Sequence, residues 1–131
     1  MTDYELLTAA QSARQNAYAP YSGFSVGAAL LTADGRVYLG SNVENSAFGA
    51  GSCAERSALF AAVSAGARDF AAIAVAGGPR VDENCTEVCT PCGVCRQALY
   101  EFAPELRVLL GDPANPTVYA LSELLAHGFR L

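Results

Sequence analysis

The chain has 131 residues, of which 52% are hydrophobic, and it carries a formal net charge of −5 with arginine as its only strongly basic residue. This length fits one domain, residues 1–131, and disfavours a division into two. The acidic balance and the scattered arginines disfavour a surface for nucleic acid polymers, which usually presents clustered basic residues, so a small neutral ligand fits better.

The location of the protein can also be predicted from the sequence. Residues 1–5 are acidic, whereas a secretory signal peptide begins with a cationic segment. No apolar run approaches the roughly 18 residues that a membrane helix needs. We therefore expect a cytoplasmic protein, in which cysteines more often bind metal than form disulfides. The high hydrophobic content also indicates burial against further copies of the chain.

The first third of the chain predicts a helix followed by a β-hairpin. Apolar residues at helical spacing predict an amphipathic helix over residues 3–18. Residues 26–32 and 37–40 are predicted to form two strands, because the Asp34-Gly35 pair between them is typical of a tight hairpin turn.

The remaining elements alternate between helix and strand. Ser52 is a favourable N-cap, so a helix is predicted over residues 53–65 with Cys53 in its first turn. The apolar run 70–76 predicts a strand that is covered on both faces. The later predicted elements are a loop over 77–90, a helix over 91–102, strands over 106–110 and 117–120, and a helix over 122–126. This order predicts an α/β fold, a three-layer α/β/α sandwich with a central mixed five-stranded sheet, and leaves the direction of the last strand open.

A possible metal site lies at the predicted starts of two helices. Cys92 and Cys95 form a C-x-x-C pair, and Cys53 is followed two positions later by Glu55. Three thiolates on Zn²⁺ leave the fourth position open for water, and a Glu that does not bind the metal can move protons. This combination resembles the general signature of zinc nucleobase deaminases.

Two charged residues complete the predicted chemistry. Three thiolates would give the zinc site a formal charge of −1, and Arg56, on nearly the same helical face as Cys53, can donate hydrogen bonds to the sulfurs and offset that charge. Glu55 can then take a proton from the water and pass it to a substrate nitrogen. Attack of a metal hydroxide on an sp² carbon, followed by loss of ammonia, fits these parts.

The choice of cysteines leaves alternatives open. Cys85 and Cys89 lie close to the C-x-x-C pair, so a closed four-sulfur structural zinc site is possible, as is a redox pair. A zinc-stabilised binding domain without catalysis is a further alternative, which Glu55 argues against. His127 is the only histidine and is predicted to be a solvated residue of the last helical turn.

Over nearly its whole length the chain resembles the small, homotetrameric cytidine deaminases of pyrimidine salvage. The matching blocks are residues 17–31, 40–45, 53–60, 91–97 and 123–129. The resemblance implies hydrolysis of cytidine and 2′-deoxycytidine to uridine and 2′-deoxyuridine, with release of ammonia after zinc-bound hydroxide attacks C4 of the pyrimidine. It also implies about one zinc ion per chain, no nucleic acid polymer or membrane partner, and a homotetramer whose subunits share active sites.

The resemblance assigns roles to individual residues. Cys53, Cys92 and Cys95 would bind zinc, and Glu55 would shuttle protons.

The resemblance also assigns the substrate contacts. Asn42 and Glu44 would bind the ribose hydroxyls, and Phe24 would pack against the base or sugar. Ala54 would offer its backbone to the ring carbonyl, and Phe129 would cover the pyrimidine of a neighbouring subunit.

Two features depart from the family pattern, and a related type of deaminase is an alternative. Phe48 stands where many relatives have tyrosine, and the 77–90 loop is a few residues longer and contains Cys85 and Cys89. An aminonucleoside antibiotic deaminase of the blasticidin-S type would share both zinc motifs. Residues 42–45 and Arg56 favour cytidine.

Overall fold

A five-stranded mixed sheet lies at the centre of the computed structural model, which describes residues 1–131. The strands are β1 (Ser25–Thr32), β2 (Val37–Ser41), β3 (Phe70–Gly78), β4 (Arg107–Asp112) and β5 (Asn115–Ala120). Their order across the sheet is β2-β1-β3-β4-β5. Only β3 and β4 are parallel neighbours, and β5 is antiparallel to β4, which decides the direction of the last strand.

Four helices accompany the sheet. They are α1 (Asp3–Ala13), α2 (Ala54–Ser64), α3 (Gly93–Tyr100) and the single turn α4 (Leu121–Leu124), and two short 3₁₀ turns span Arg14–Asn16 and Phe48–Ala50. No helix among them combines the length and the apolar character that crossing a bilayer requires.

The two faces of the sheet carry separate apolar cores, which confirms the predicted three-layer sandwich. Leu6 and Leu7 of α1 pack in one core, with Ala74 of β3. Leu59 of α2 packs in the other core, with Ile73 of β3. Because successive residues of β3 face opposite layers and are buried on both, the prediction of a strand covered on both faces is also confirmed.

Several element boundaries differ from the predicted ones for identifiable reasons. The first helix ends at Ala13 instead of 18, because the Tyr18 backbone is extended and exchanges hydrogen bonds with Asn42 and Glu44. β5 begins two residues earlier than predicted and includes Pro116, which an edge strand tolerates. His127 is exposed and lies beyond the end of α4, with a positive φ of 55°.

A glycine in β2 lets α2 lie directly on the sheet. A β-carbon at Gly40 would collide with the backbone carbonyl of Ala54 and the backbone nitrogen of Ala58. Since both partners are helix backbone, they cannot turn aside as a flexible side chain would. Gly40 therefore sets how closely the first turn of α2 approaches the sheet.

We predict that Gly40→Ala destabilises the fold by about 3 kcal/mol, because the helix backbone must shift to accept the methyl group. Urea unfolding followed by circular dichroism measures the change. Gly49→Ala is the matched control, since a β-carbon there meets no atom and the expected change is within about 0.5 kcal/mol. Equal midpoints for the two variants would contradict the close-approach argument.

Candidate active site

Three cysteine side chains meet where α2 and α3 begin. Cys53 is the N-cap of α2 and Cys92 is the N-cap of α3, while Cys95 lies in the first turn of α3. Their three sulfur atoms all lie within 4.8 Å of one another, and the Cys53 and Cys92 sulfurs are 3.7 Å apart. Zinc–thiolate bonds of about 2.3 Å in tetrahedral geometry separate two sulfurs by about 3.8 Å. The spacing therefore suits zinc.

The sulfur cluster lies at the edge of the sheet where β2 and β3 end and β1 begins. β2 ends at Ser41 and β3 at Gly78, and both ends lie beside the start of β1, since Ser41 pairs with Gly27 and Gly78 with Ser25. The segments that leave β2 and β3 lead to α2 and α3. The N-termini of α2 and α3 therefore meet at the same edge of the sheet.

The cluster has three members. Neither Cys85 nor Cys89 joins it, and no histidine or carboxylate does. All five cysteines are free thiols. Three protein ligands leave one tetrahedral position for water, as in catalytic zinc sites, whereas structural sites use four. The structure therefore favours the open site over the closed four-sulfur alternative.

Arg56 contributes the positive charge of the cluster. Its Nη2 donates to the Cys53 sulfur at 3.5 Å, and hydrogen bonds with the sulfurs of Cys53 and Cys95 raise the pKa of its guanidinium above the ordinary value. Its Nε is buried and has no acceptor. A cation with a spare donor beside three sulfurs is suited to a thiolate-rich metal site, whose negative charge it offsets.

Glu55 lies next to the cluster and is only 4% exposed. Burial raises the pKa of its carboxyl above the ordinary value. This effect outweighs the hydrogen bonds with its own backbone and with Cys95, and the charge of Arg56, all of which lower that pKa. The raised pKa brings the carboxyl closer to exchanging its proton under neutral conditions, which general acid–base catalysis requires.

Two adjoining hollows open beside these groups. The smaller one, of about 170 Å³, contains Glu55 and Cys53 together with Val26, Asn42, Ala54, Cys89, Thr90 and Cys92. The larger one, of about 320 Å³, extends from Cys53 and Arg56 towards Glu44, Tyr21 and Phe48. Asn42 and Cys53 line both, so a ligand can extend from the buried carboxyl to the polar 42–45 loop.

Asn42 is largely engaged within the protein. Its Oδ1 accepts from the backbone nitrogen of Val26 at 2.8 Å, and its Nδ2 donates to the carbonyl of Phe24 at 2.9 Å. The side chain thereby holds the start of β1 against the end of β2, beside the smaller hollow. Asn42 therefore has a structural role at the position where it lines both hollows.

Glu44 is held by the segment before β1. Its carboxylate accepts the backbone N–H groups of Tyr21 and Ser22 at 2.9 and 3.1 Å, and the Ser22 hydroxyl as well. These hydrogen bonds, that of the Ser22 hydroxyl first, hold the pKa of the carboxyl below its usual value. A carboxylate has about four acceptor positions, so one remains for a ligand hydroxyl.

Phe24 and Phe129, the two aromatic residues predicted to contact the substrate, lie at different distances from the hollows. The Phe24 ring lies beside Gly77 and the Cys89 sulfur, near the smaller hollow. Phe129 is 64% exposed and lines neither hollow, although its carbonyl accepts from Gln97 of α3 at 3.3 Å. A single chain therefore does not bring Phe129 to its own site.

Sequence reasoning missed three residues of the smaller hollow. Val26 and Thr90 had no assigned role, and Cys89 was considered only as an alternative zinc ligand. Burial raises the pKa of Cys89 to about 11, so it is a neutral thiol at pH 7. No local pattern distinguishes these positions, because β1 brings Val26 to the hollow and the folded loop after β3 brings Cys89 and Thr90 there.

The chain is similar to cytidine deaminases in sequence and in structure. The family model "Cytidine and deoxycytidylate deaminase zinc-binding region" matches residues 1–110. The cytidine deaminase of Halalkalibacterium halodurans is 44% identical, over 95% of this chain and 91% of the relative. That of Sporosarcina psychrophila is 48% identical, over 89% of this chain and 85% of the relative. The crystal structure of cytidine deaminase from Burkholderia pseudomallei superposes with a TM-score of 0.88 at 47% identity, covering 98% of this chain and 100% of that one.

We predict that Cys95→Ser lowers bound zinc well below the level of about one ion per chain expected for the native site. Cys89→Ser, the matched control three positions before Cys92, should keep full zinc because its sulfur lies outside the cluster. Metal analysis of protein purified in parallel measures both. Loss of zinc in Cys89→Ser would instead support the closed four-sulfur site, with Cys89 as the fourth ligand.

Proposed function

Because the chain belongs to the cytidine and deoxycytidylate deaminase family of zinc enzymes, we propose that it hydrolyses both cytidine and 2′-deoxycytidine, releasing ammonia. The products are uridine and 2′-deoxyuridine. The observation that carries the proposal is the buried Glu55 carboxyl beside three sulfurs, inside a hollow that also contains Asn42. A structural zinc site needs no such carboxyl.

Cys53, Cys92 and Cys95 are the residues that hold zinc. Zinc, when bound, supplies Lewis acidity that lowers the pKa of a water molecule. Arg56 and the N-termini of α2 and α3 offset the negative charge of three thiolates, which would otherwise weaken that acidity.

Glu55 moves the proton that the hydrolysis requires. Its carboxylate accepts a proton from water, and the carboxylic acid then donates it to the ring nitrogen beside the carbon that carries the amino group. The same carboxyl then takes the second proton of that water and donates it to the amino group, which leaves as ammonia. Burial supports this role, because a carboxyl with a raised pKa is a better base and holds its proton longer before passing it on.

The 42–45 loop and the Ala54 backbone orient the nucleoside. Glu44 keeps one acceptor position free for a ribose hydroxyl, and Asn42 borders both hollows. Ala54 begins α2, so its backbone N–H is one of those without a partner within the helix and can donate to the ring carbonyl. Phe24, beside the smaller hollow, packs against the base or sugar.

We place the reaction in pyrimidine salvage in the cytoplasm. Free nucleosides are the substrates, and five free thiols suit a reducing compartment.

A homotetramer with shared active sites completes the proposal. Phe48 lines the larger hollow yet is 92% exposed, and Phe129 is exposed and lines neither hollow. Large exposed aromatic side chains near a binding site mark surfaces that another protein covers. Phe129 then covers the pyrimidine bound in a neighbouring subunit.

Ultraviolet-monitored deamination by the zinc-loaded protein tests the activity. We expect turnover of cytidine and 2′-deoxycytidine, and Glu55→Gln should keep its zinc while turnover falls by roughly 10³-fold, because an amide cannot carry the proton. Glu101→Gln, an exposed glutamate on the surface, is the control and should retain full activity. Turnover of blasticidin S alone would replace the proposed substrate, and full activity of Glu55→Gln would overturn the mechanism.

Shared sites predict complementation between two impaired variants. Phe129→Ala and Glu55→Gln should each be weakly active alone, whereas their co-expressed mixture should reach about a quarter of native activity if subunits assort at random in a closed oligomer. Differently tagged chains allow the mixed species to be isolated. Activity no higher than the mean of the separate variants would show that Phe129 does not act across subunits.

A further inference from the structure

The loop between β3 and α3, residues 79–91, makes few hydrogen bonds with the rest of the protein. It makes no backbone–backbone hydrogen bond. Its hydrogen bonds to the rest of the chain come from the side chains of Gln11, Arg14 and Arg96 alone. Arg96 reaches only the last residue of the loop, through the Pro91 carbonyl at 2.7 Å. Gln11 and Arg14 therefore hold the remainder.

Arg14 is a buried cation that the loop supplies with acceptors. It is 1% exposed and forms no salt bridge with any carboxylate. Its guanidinium donates to the carbonyls of Arg80 at 2.6 Å and Glu83 at 2.8 Å, and its Nε donates to the Ser25 carbonyl at 3.0 Å. Since a buried charge without hydrogen bonds is strongly unfavourable, departure of the loop would leave Arg14 poorly paired. The cation thus favours the docked loop.

The side-chain amide of Gln11 bonds both backbone groups of one loop residue, as a paired β-strand does. Its Nε2 donates to the carbonyl of Cys85, and its Oε1 accepts from the backbone nitrogen of the same residue at 3.1 Å. The same Oε1 also accepts from Arg14 at 3.2 Å, so the two side chains form one connected group. We call this group the α1 anchor.

Beyond the α1 anchor the loop crosses the end of β3 towards the active site. A β-carbon at Gly78 would lie 3.1 Å from the Cys85 sulfur, and one at Gly77 would lie 2.7 Å from the Cys89 sulfur. Because successive residues of a strand face opposite sides, Cys85 lies on the α1 side and Cys89 on the side of the active site. Cys89 and Thr90 then form part of the hollow around Glu55.

We propose that Gln11 and Arg14 are positioning residues, which hold the 79–91 loop so that Cys89 and Thr90 close the nucleoside pocket beside Glu55. The nature of the ligand, a pyrimidine nucleoside, rests on the proposed function. Neither residue lines the hollows, so the pair acts through the loop and not by contact with substrate. Release of the loop lowers the fraction of binding-competent protein, which raises the apparent dissociation constant in proportion.

The variant that tests this proposal is Gln11→Met, which keeps the side-chain volume but leaves both backbone groups of Cys85 without their partner. Two measurements are made on the zinc-loaded protein. One is the rate at which N-ethylmaleimide modifies Cys89, located by fragment masses of the tryptic peptide 81–96. The other is KM and kcat for cytidine.

The α1 anchor predicts a specific pattern of changes. Cys89 should be modified roughly thirtyfold faster in Gln11→Met, a factor that corresponds to the loss of two typical hydrogen bonds, those with the backbone of Cys85. The ratio of this rate to that of the urea-unfolded chain gives the released fraction of the loop, and KM should rise by the reciprocal of the docked fraction that remains. We expect kcat to stay within about twofold and zinc to stay bound, because Arg96 still holds Pro91. Thr2→Ala is the control: it removes the cap of α1 at the far end of the helix and should leave the Cys89 rate and KM unchanged.

Several outcomes would overturn the proposal. A native rate of Cys89 modification in Gln11→Met would show that the α1 anchor does not hold the loop. A KM that does not rise as the docked fraction falls would show that the loop does not close the pocket. If the Cys89 rate and KM changed equally in Thr2→Ala, the effect of Gln11→Met would be general destabilisation and not release of the loop. If the native protein deaminates no nucleoside, the proposed function fails, and the Cys89 rates still decide whether the α1 anchor exists.

Discussion

The site depends on two helices that begin at the same edge of one sheet. Cys53 and Cys92 occupy the N-cap positions of α2 and α3, so the backbone that starts each helix also sets the position of a sulfur. Both helix dipoles direct their positive ends at the cluster, where thiolates are stabilised. The positions of the sulfur atoms therefore depend on how closely the helices approach the sheet, and Gly40 permits the close approach of α2.

Polar side chains connect the edge of the sheet to the loops that surround the pocket. Asn42 ties the start of β1 to the end of β2, and Glu44 holds the backbone at Tyr21 and Ser22. Arg14 does the same for the long loop after β3. In each case a side chain replaces backbone pairing where regular structure ends, so that irregular segments lie in defined positions around Glu55.

The zinc site could be predicted because its ligands are close in sequence to helix starts. The C-x-x-C spacing of Cys92 and Cys95 is local, and Glu55 follows Cys53 on the same helix. The role of Cys89 could not be predicted in this way. Its position depends on Gln11, far away in the sequence, and on a loop without backbone hydrogen bonds, for which neither periodicity nor turn chemistry gives a signal.

The sequence by itself determined the order of helices and strands, the sandwich architecture and the residue types of the metal site, because these follow from periodicity, capping and ligand spacing over short stretches. Only the tertiary structure decided which three of five sulfurs meet, that β5 runs antiparallel to β4, and that Phe129 lies away from the pocket of its own chain. Each of these depends on contacts between distant segments, and local chemistry does not specify which distant segments pack together.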